Sequence, residues 1–142
     1  MEIRKAYATD APVIKELLEQ LGYPTAEGFL EKRLEDLSSH PDHTDVVFVG
    51  ENKVLGFLSM HFIPQIAFDA SYAVISYLVV EETSRSFGIG KKLEDYADER
   101  AREKGCRRLF LHSNIKRTDA HRFYLKQGYQ EYNKAFVKYL IP

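Results

Sequence analysis

Within eight residues, Arg85-Ser86-Phe87-Gly88-Ile89-Gly90-Lys91-Lys92, the sequence gathers one guanidinium, two glycines and two ammonium groups. The apolar run Tyr77-Leu78-Val79-Val80 precedes them, and Ile89, Leu93, Tyr96 and Ala97 follow at helical spacing. A helix therefore starts at the glycines, where unpaired N–H groups and the positive end of the helix dipole favour an anion. Gly88 and Gly90 let the backbone approach the oxygens of an anion without an intervening Cβ. Arg85 adds charge. Lys91 and Lys92 oppose the dipole at that end, a placement that suits a bound anion. The alternative is a strand-to-helix turn with exposed basic side chains.

The commoner nucleotide loops fail at defined positions. A dinucleotide fingerprint needs a third glycine, but Leu93 stands three residues after Gly90. A P-loop ends Gly-Lys-Ser/Thr, and here Gly90-Lys91 is followed by Lys92. Elsewhere, His40-Pro41-Asp42-His43 has the residue types of a metal site, but the short, polar, proline-broken segment reads as a solvated loop, so no metal is expected. The single cysteine, Cys106, lies between Gly105 and Arg107 at the start of a strand and reads as structural.

These groups need a scaffold, and its elements are legible in order. A strand over residues 2–7 leads to Thr9-Asp10-Ala11-Pro12, a helix start, and the helix stops at Gly22 and Pro24. A second helix is expected over 26–38. Val46–Val49 and Val54–Phe62 form a hairpin around Glu51-Asn52-Lys53, and Ser71–Val80 is a third strand of the group, buried on both faces at its end. Helix 88–104, strand 108–112, helix 118–127 and closing strands over 129–140 complete the pattern, an α/β or α+β sandwich in one domain, 1–142.

Composition agrees. With 44% hydrophobic and 29% charged residues the chain is globular, and a net charge of −1 recommends no nucleic-acid partner. One cysteine excludes an intrachain disulfide and points to a reducing, cytoplasmic setting. The N-terminus lacks the apolar core of a signal peptide, and no apolar run is long enough to span a membrane.

The segment Leu78 to Leu93 resembles the coenzyme A-binding motif of the GCN5-related N-acetyltransferase (GNAT) superfamily. Ser113-Asn114, followed by Ala120-His121-Arg122-Phe123-Tyr124-Leu125-Lys126-Gln127-Gly128-Tyr129, is similar to that family's second signature. The stretch Asn114 to Tyr124 is especially similar to aminoalkylphosphonate N-acetyltransferases. The resemblance implies a mixed central sheet of about seven strands flanked by four helices, with a splayed parallel strand pair. It implies an N-acetyltransferase that moves acetyl from acetyl-CoA directly to a primary amine of a small molecule; the homodimer expectation comes from the same source. A non-catalytic acyl-CoA sensor and a protein or peptide acetyltransferase are the alternatives.

By resemblance, Leu78, Val79 and Val80 line the pantetheine arm, with the Val80 N–H polarising the thioester carbonyl. Arg85, Ser86, Phe87, Gly88, Ile89, Gly90 and Lys91 cradle the pyrophosphate. Asn114, Phe123 and Tyr124 contact the cofactor, and Tyr124 protonates the departing thiolate. Tyr77 stands where many relatives carry an acid, so the base candidates are Glu81, His61 and Asp69, with Glu81 the first choice.

Overall fold

The computed structural model describes residues 1–24, 28–113 and 116–141. They fall into two units, Met1–His112 and Ser113–Pro142. In the first, five strands lie in sequence order across one sheet: β1 (Glu2–Lys5), β2 (His43–Gly50), β3 (Lys53–Ile63), β4 (Tyr72–Val80) and β5 (Arg108–Leu111). Pairings are antiparallel from β1 to β4, and β4 and β5 are parallel.

Helix α1 (Ala11–Leu21) starts after Asp10 with Pro12 in its first turn and ends at Gly22, whose φ of 109° suits glycine alone among common residues. Asp10 does more than terminate a helix. It accepts the Tyr7 N–H at 2.8 Å and a two-pronged contact from Arg4 at 2.9 and 3.0 Å, which ties β1 to α1. Helix α2 covers Leu30–Ser38; the expected start at residue 26 falls outside the described residues. Both helices cover one sheet face, where Ile14, Leu17, Leu18 and Leu34 pack with Val47, Phe57 and Val79. Burying each such side chain contributes about 1.5–3 kcal/mol.

Helix α3 (Ile89–Glu103) covers the other face. Ile89, Leu93, Ala97 and Ala101 are its buried stripe, and Lys92 and Arg100 lie over the rings of Phe48 and Phe62. The hairpin turn has Glu51 and Asn52 at φ 54° and 62°, the pair of positive angles that matches strand twist in a two-residue loop.

The second unit holds α4 (Thr118–Lys126), stopped by Gly128 at φ 96°. The expected strands over 129–140 do not form, which reduces the expected seven strands to five. No strand pairing among the described residues includes this segment, and Phe136, Tyr139 and Leu140 are exposed. Among the described residues, no helix is long and apolar enough to cross a membrane.

Candidate active site

The β4 strand runs on past its parallel neighbour. Pairing with β5 covers only Tyr72 to Ile75, opposite Arg108 to Leu111. At the same point β4 carries one extra residue against β3: Ser59 opposes Tyr77 and Met60 opposes Ile75, leaving Ser76 as a bulge. A bulge bends and twists its strand. From Ser76 to Val80, no described strand bonds the edge of β4 that faces away from β3.

Which peptide groups face that edge follows from alternation. The Glu81 N–H bonds the Leu55 carbonyl at 2.8 Å, so Glu81 points toward β3. Residues 79 and 77 point the same way, and Leu78 and Val80 turn their N–H and C=O groups to the open edge. The Val80 carbonyl accepts from Arg85 Nε at 3.3 Å on that side. Val79 differs from the other two. Its side chain lies in the α1–α2 core and its backbone faces Phe57, so neither meets the open edge.

The predicted loop is a 3-10 segment, Glu82–Phe87, that runs straight into α3. Glu81 caps it by accepting the Thr83 N–H at 3.0 Å, and the Glu82 N–H is anchored on α1 by Gln20 at 3.1 Å. Gly88 joins the two helices at φ 74°, in the left-handed region, with open space around its Cα. As the N-cap of α3 it offers no side chain, and the first bond of the helix is Lys92 N–H to Gly88 C=O at 3.2 Å. The N–H groups of Ile89, Gly90 and Lys91 precede that first bond, as at any helix start. Ser86 and Phe87 are exposed beside them. The lysines have partners of their own: Lys91 pairs with Asp95 at 2.8 Å, and Lys92 lies over Phe48. Their placement at the helix start therefore does not require an anion.

In the second unit, Tyr124 sits edge-on to Phe123 and to Tyr129, at ring separations of 5.4 and 5.6 Å. Burial pushes its phenol above the ordinary value, with Arg117 opposing, so it carries its proton at neutral pH. Asn114 lies outside the described residues.

The three base candidates separate on geometry. The Glu81 carboxylate is taken up by Thr83 and Ser84, and those hydrogen bonds hold it below the usual carboxylate range, which makes it a poor proton acceptor. Asp69 is exposed and 3.6 Å from Arg107. His61 is half-buried on β3, its Nδ1 3.0 Å from Nδ1 of His43. His43, expected in a solvated loop, opens β2 instead and is buried. Sequence reading missed this role for it, and missed Asp45 entirely. The Cys106 thiol is pushed up by burial, with Lys104 opposing, as suits a structural cysteine. No group of three or more potential metal ligands occurs among the described residues.

A parallel strand pair that parts at a bulge, followed by a glycine-led helix start, is the arrangement that the resemblance to N-acetyltransferases implies. The chain belongs to the Acetyltransferase (GNAT) family, which it matches over residues 10–129. It is 39% identical over 88 residues to the aminoalkylphosphonate N-acetyltransferase of Salmonella typhimurium, covering 62% of this chain and 57% of that protein. It is 46% identical over 65 residues to the uncharacterized N-acetyltransferase YhdJ of Bacillus subtilis, covering 45% of this chain and 46% of that protein. The chain thus matches about half the length of these relatives. The glucosamine-6-phosphate N-acetyltransferase of Arabidopsis thaliana superposes with a TM-score of 0.83 at 26% identity, over 99% of this chain and 98% of that one.

Proposed function

We propose that the chain transfers acetyl from acetyl-CoA directly to a primary amine of a small molecule. The open edge of β4 at Leu78 and Val80 carries this reading, because it offers peptide N–H and C=O groups to the amides of a pantetheine arm. Acetyl-CoA supplies the thioester whose carbonyl carbon the amine attacks. The Val80 N–H, fixed by its strand before any reaction, bonds the carbonyl oxygen as charge builds there. Leu78 holds the arm through its backbone. The amides from Ser86 to Lys91 take the pyrophosphate at the α3 start, aided by Arg85, whose side chain must then leave the Val80 carbonyl.

Tyr124 gives its proton to the departing sulfur, and Phe123 and Asn114 contact the cofactor. The raised phenol supports this role, since a general acid must be protonated when it acts. The raised Cys106 thiol speaks against a covalent acyl-enzyme. The relatives' names support a small amine, aminoalkylphosphonates first. The lone cysteine supports a cytoplasmic setting, and a homodimer is part of the same reading.

The test is release of free thiol from acetyl-CoA in the presence of aminoalkylphosphonates, amino-sugar phosphates, polyamines and peptides. Turnover on a small amine is expected. Turnover confined to peptides would move the acceptor to protein amines. Cofactor binding without turnover on any of them would make the chain an acyl-CoA sensor.

A further inference from the structure

Past Ile75, β4 is bonded along one edge only. Its ladder with β3 continues to Val80, opposite Gly56, while no described strand takes the other edge. Backbone that is left open on one side shifts more readily than backbone held on both. The Val80 N–H lies in this half-held stretch. A donor that acts on developing charge must be fixed before the reaction starts, so the stretch needs a second support.

The C-terminal end of α1 meets the stretch at both of its ends. On the near side, the Tyr23 ring meets Tyr77 edge-on, at 5.2 Å between centroids and 86° between planes. On the far side, the Gln20 side-chain oxygen accepts the Glu82 N–H at 3.1 Å. Tyr77 immediately precedes Leu78, and Glu82 follows Val80 by two residues. One helix end therefore brackets both peptide groups of the open edge.

That helix end is rigid for a local reason. Gly22 takes a left-handed angle, φ 109°, and donates its N–H to the Glu19 carbonyl at 3.0 Å. The Tyr23 N–H closes the turn on the Leu18 carbonyl at 2.9 Å, the pair of bonds that marks a Schellman motif. Leu18 is buried in the core, and Tyr77 packs against the same core. Both rings thus stand on fixed backbone. Gln20 supplies what the 3-10 segment cannot supply for itself. Its Thr83 and Ser84 N–H groups bond the carboxylate and the carbonyl of Glu81, at 3.0 and 2.9 Å. Of these first three amides, only that of Glu82 is bonded from another element.

On the transfer reading above, we propose that Gln20 and Tyr23 are positioning residues that support the end of β4 where β5 has left it. Tyr23 holds the strand so that the Val80 N–H meets the acyl carbonyl. Gln20 holds the entry to the loop whose amides take the pyrophosphate. Neither side chain touches a reactant. The two contacts sit at opposite ends of the stretch, so their losses differ. Without Tyr23 the strand drifts and the Val80 amide is misplaced, which is felt in turnover. Without Gln20 the loop must be ordered by the cofactor itself, which is felt in affinity.

The experiment measures kcat with a small amine acceptor and the dissociation constant for coenzyme A in wild type, Gln20→Met, Tyr23→Ala and Tyr23→Phe. Gln20 and Tyr23 are both exposed, so these changes leave the core intact, and urea denaturation reads any loss of stability separately. Gln20→Met keeps the length and removes the acceptor; its dissociation constant should rise about fivefold, with kcat within about twofold of wild type. Tyr23→Ala should lose about tenfold in kcat, more than it loses in coenzyme A affinity. Tyr23→Phe keeps the ring and should restore the wild-type rate. A Tyr23→Phe enzyme as slow as Tyr23→Ala overturns positioning, because the hydroxyl would then be the active group. Wild-type constants in Gln20→Met and Tyr23→Ala overturn the proposal while leaving acetyl transfer intact. So does a loss of rate and affinity together that only tracks lost stability. Absence of thiol release from wild type on every amine overturns transfer itself, and the role of Tyr23 with it.

Discussion

Gly56 on β3 and Leu93 on α3 approach so closely that a Cβ on Gly56 would lie 2.8 Å from Leu93 Cδ1. The same Cβ would stand 3.2 Å from Ile89 Cγ2 and 3.3 Å from the Val79 carbonyl oxygen. The glycine thereby sets how deeply the first turn of α3 sinks onto the sheet, and with it the position of the Ile89, Gly90 and Lys91 amides.

Gly56→Ala should destabilise by about 1–3 kcal/mol in urea denaturation, because the carbonyl and the helix start have little room to shift. Coenzyme A affinity should fall with it as the helix start moves. Adding Leu93→Ala should recover part of the loss, so the double variant is more stable than the sum of the singles. Simple additivity would show that the contact does not limit the packing.

At Gly88 the constraint is angular: φ is 74°, and a Cβ at this position would meet nothing within 4 Å. Gly88→Val should cost about 1–2 kcal/mol, and Gly88→Asn less, because asparagine tolerates the left-handed region. Calorimetry should show coenzyme A binding weakened at least about tenfold by Val, since the amides after it no longer converge. Unchanged affinity would remove the pyrophosphate from this helix start.

The Arg4 pair, and then the Tyr7 N–H, hold the Asp10 carboxyl below its usual range against the opposing effect of burial. A depressed folded value means that the stabilisation is present above the ordinary carboxylate pKa and is lost as pH falls through the folded one. Asp10→Asn should therefore cost about 2 kcal/mol at pH 7, a charge-assisted bond's worth. Thermal melts from pH 7 down to pH 2 should show wild type and variant converging in acid. A constant gap would mean that the charge contributes nothing.

Tyr124→Phe removes one hydroxyl and keeps the ring contacts with Phe123 and Tyr129. Turnover should drop on the order of 100-fold. The dissociation constant for coenzyme A should change by no more than about twofold, because the proposed role of the hydroxyl is confined to the transition state. An equal rate would place the acid elsewhere.

Elements coded locally were legible. The Pro12 and Gly22 signals bound α1, the Glu51-Asn52 turn joins β2 and β3, and the glycines mark the start of α3. Each depends on a few neighbouring residues, so sequence alone locates it. The strands expected over 129–140 failed for the opposite reason: apolar alternation is local, but a ladder needs a partner. Lys91 and Lys92 read as anion ligands because Asp95 and Phe48 become their neighbours only once the helix forms and docks.

The order of elements through α4 and the helix start at Gly88 follow from the sequence by itself, because backbone angles and helical spacing are local properties. Two bulges were decided only by tertiary structure. The hairpin turn pairs Gly50 with Lys53, a register that would carry His43 opposite Met60, with His61 on the other face of the sheet. Leu55 is the extra residue that shifts the pairing by one and brings His43 opposite His61. Ser76 does the same on β4, next to the point where β5 leaves. A one-residue shift reverses which face every later side chain occupies. Sheet packing against α1, α2 and α3 sets that shift, so the His43–His61 pair and the open edge at Leu78 and Val80 exist only in the folded chain.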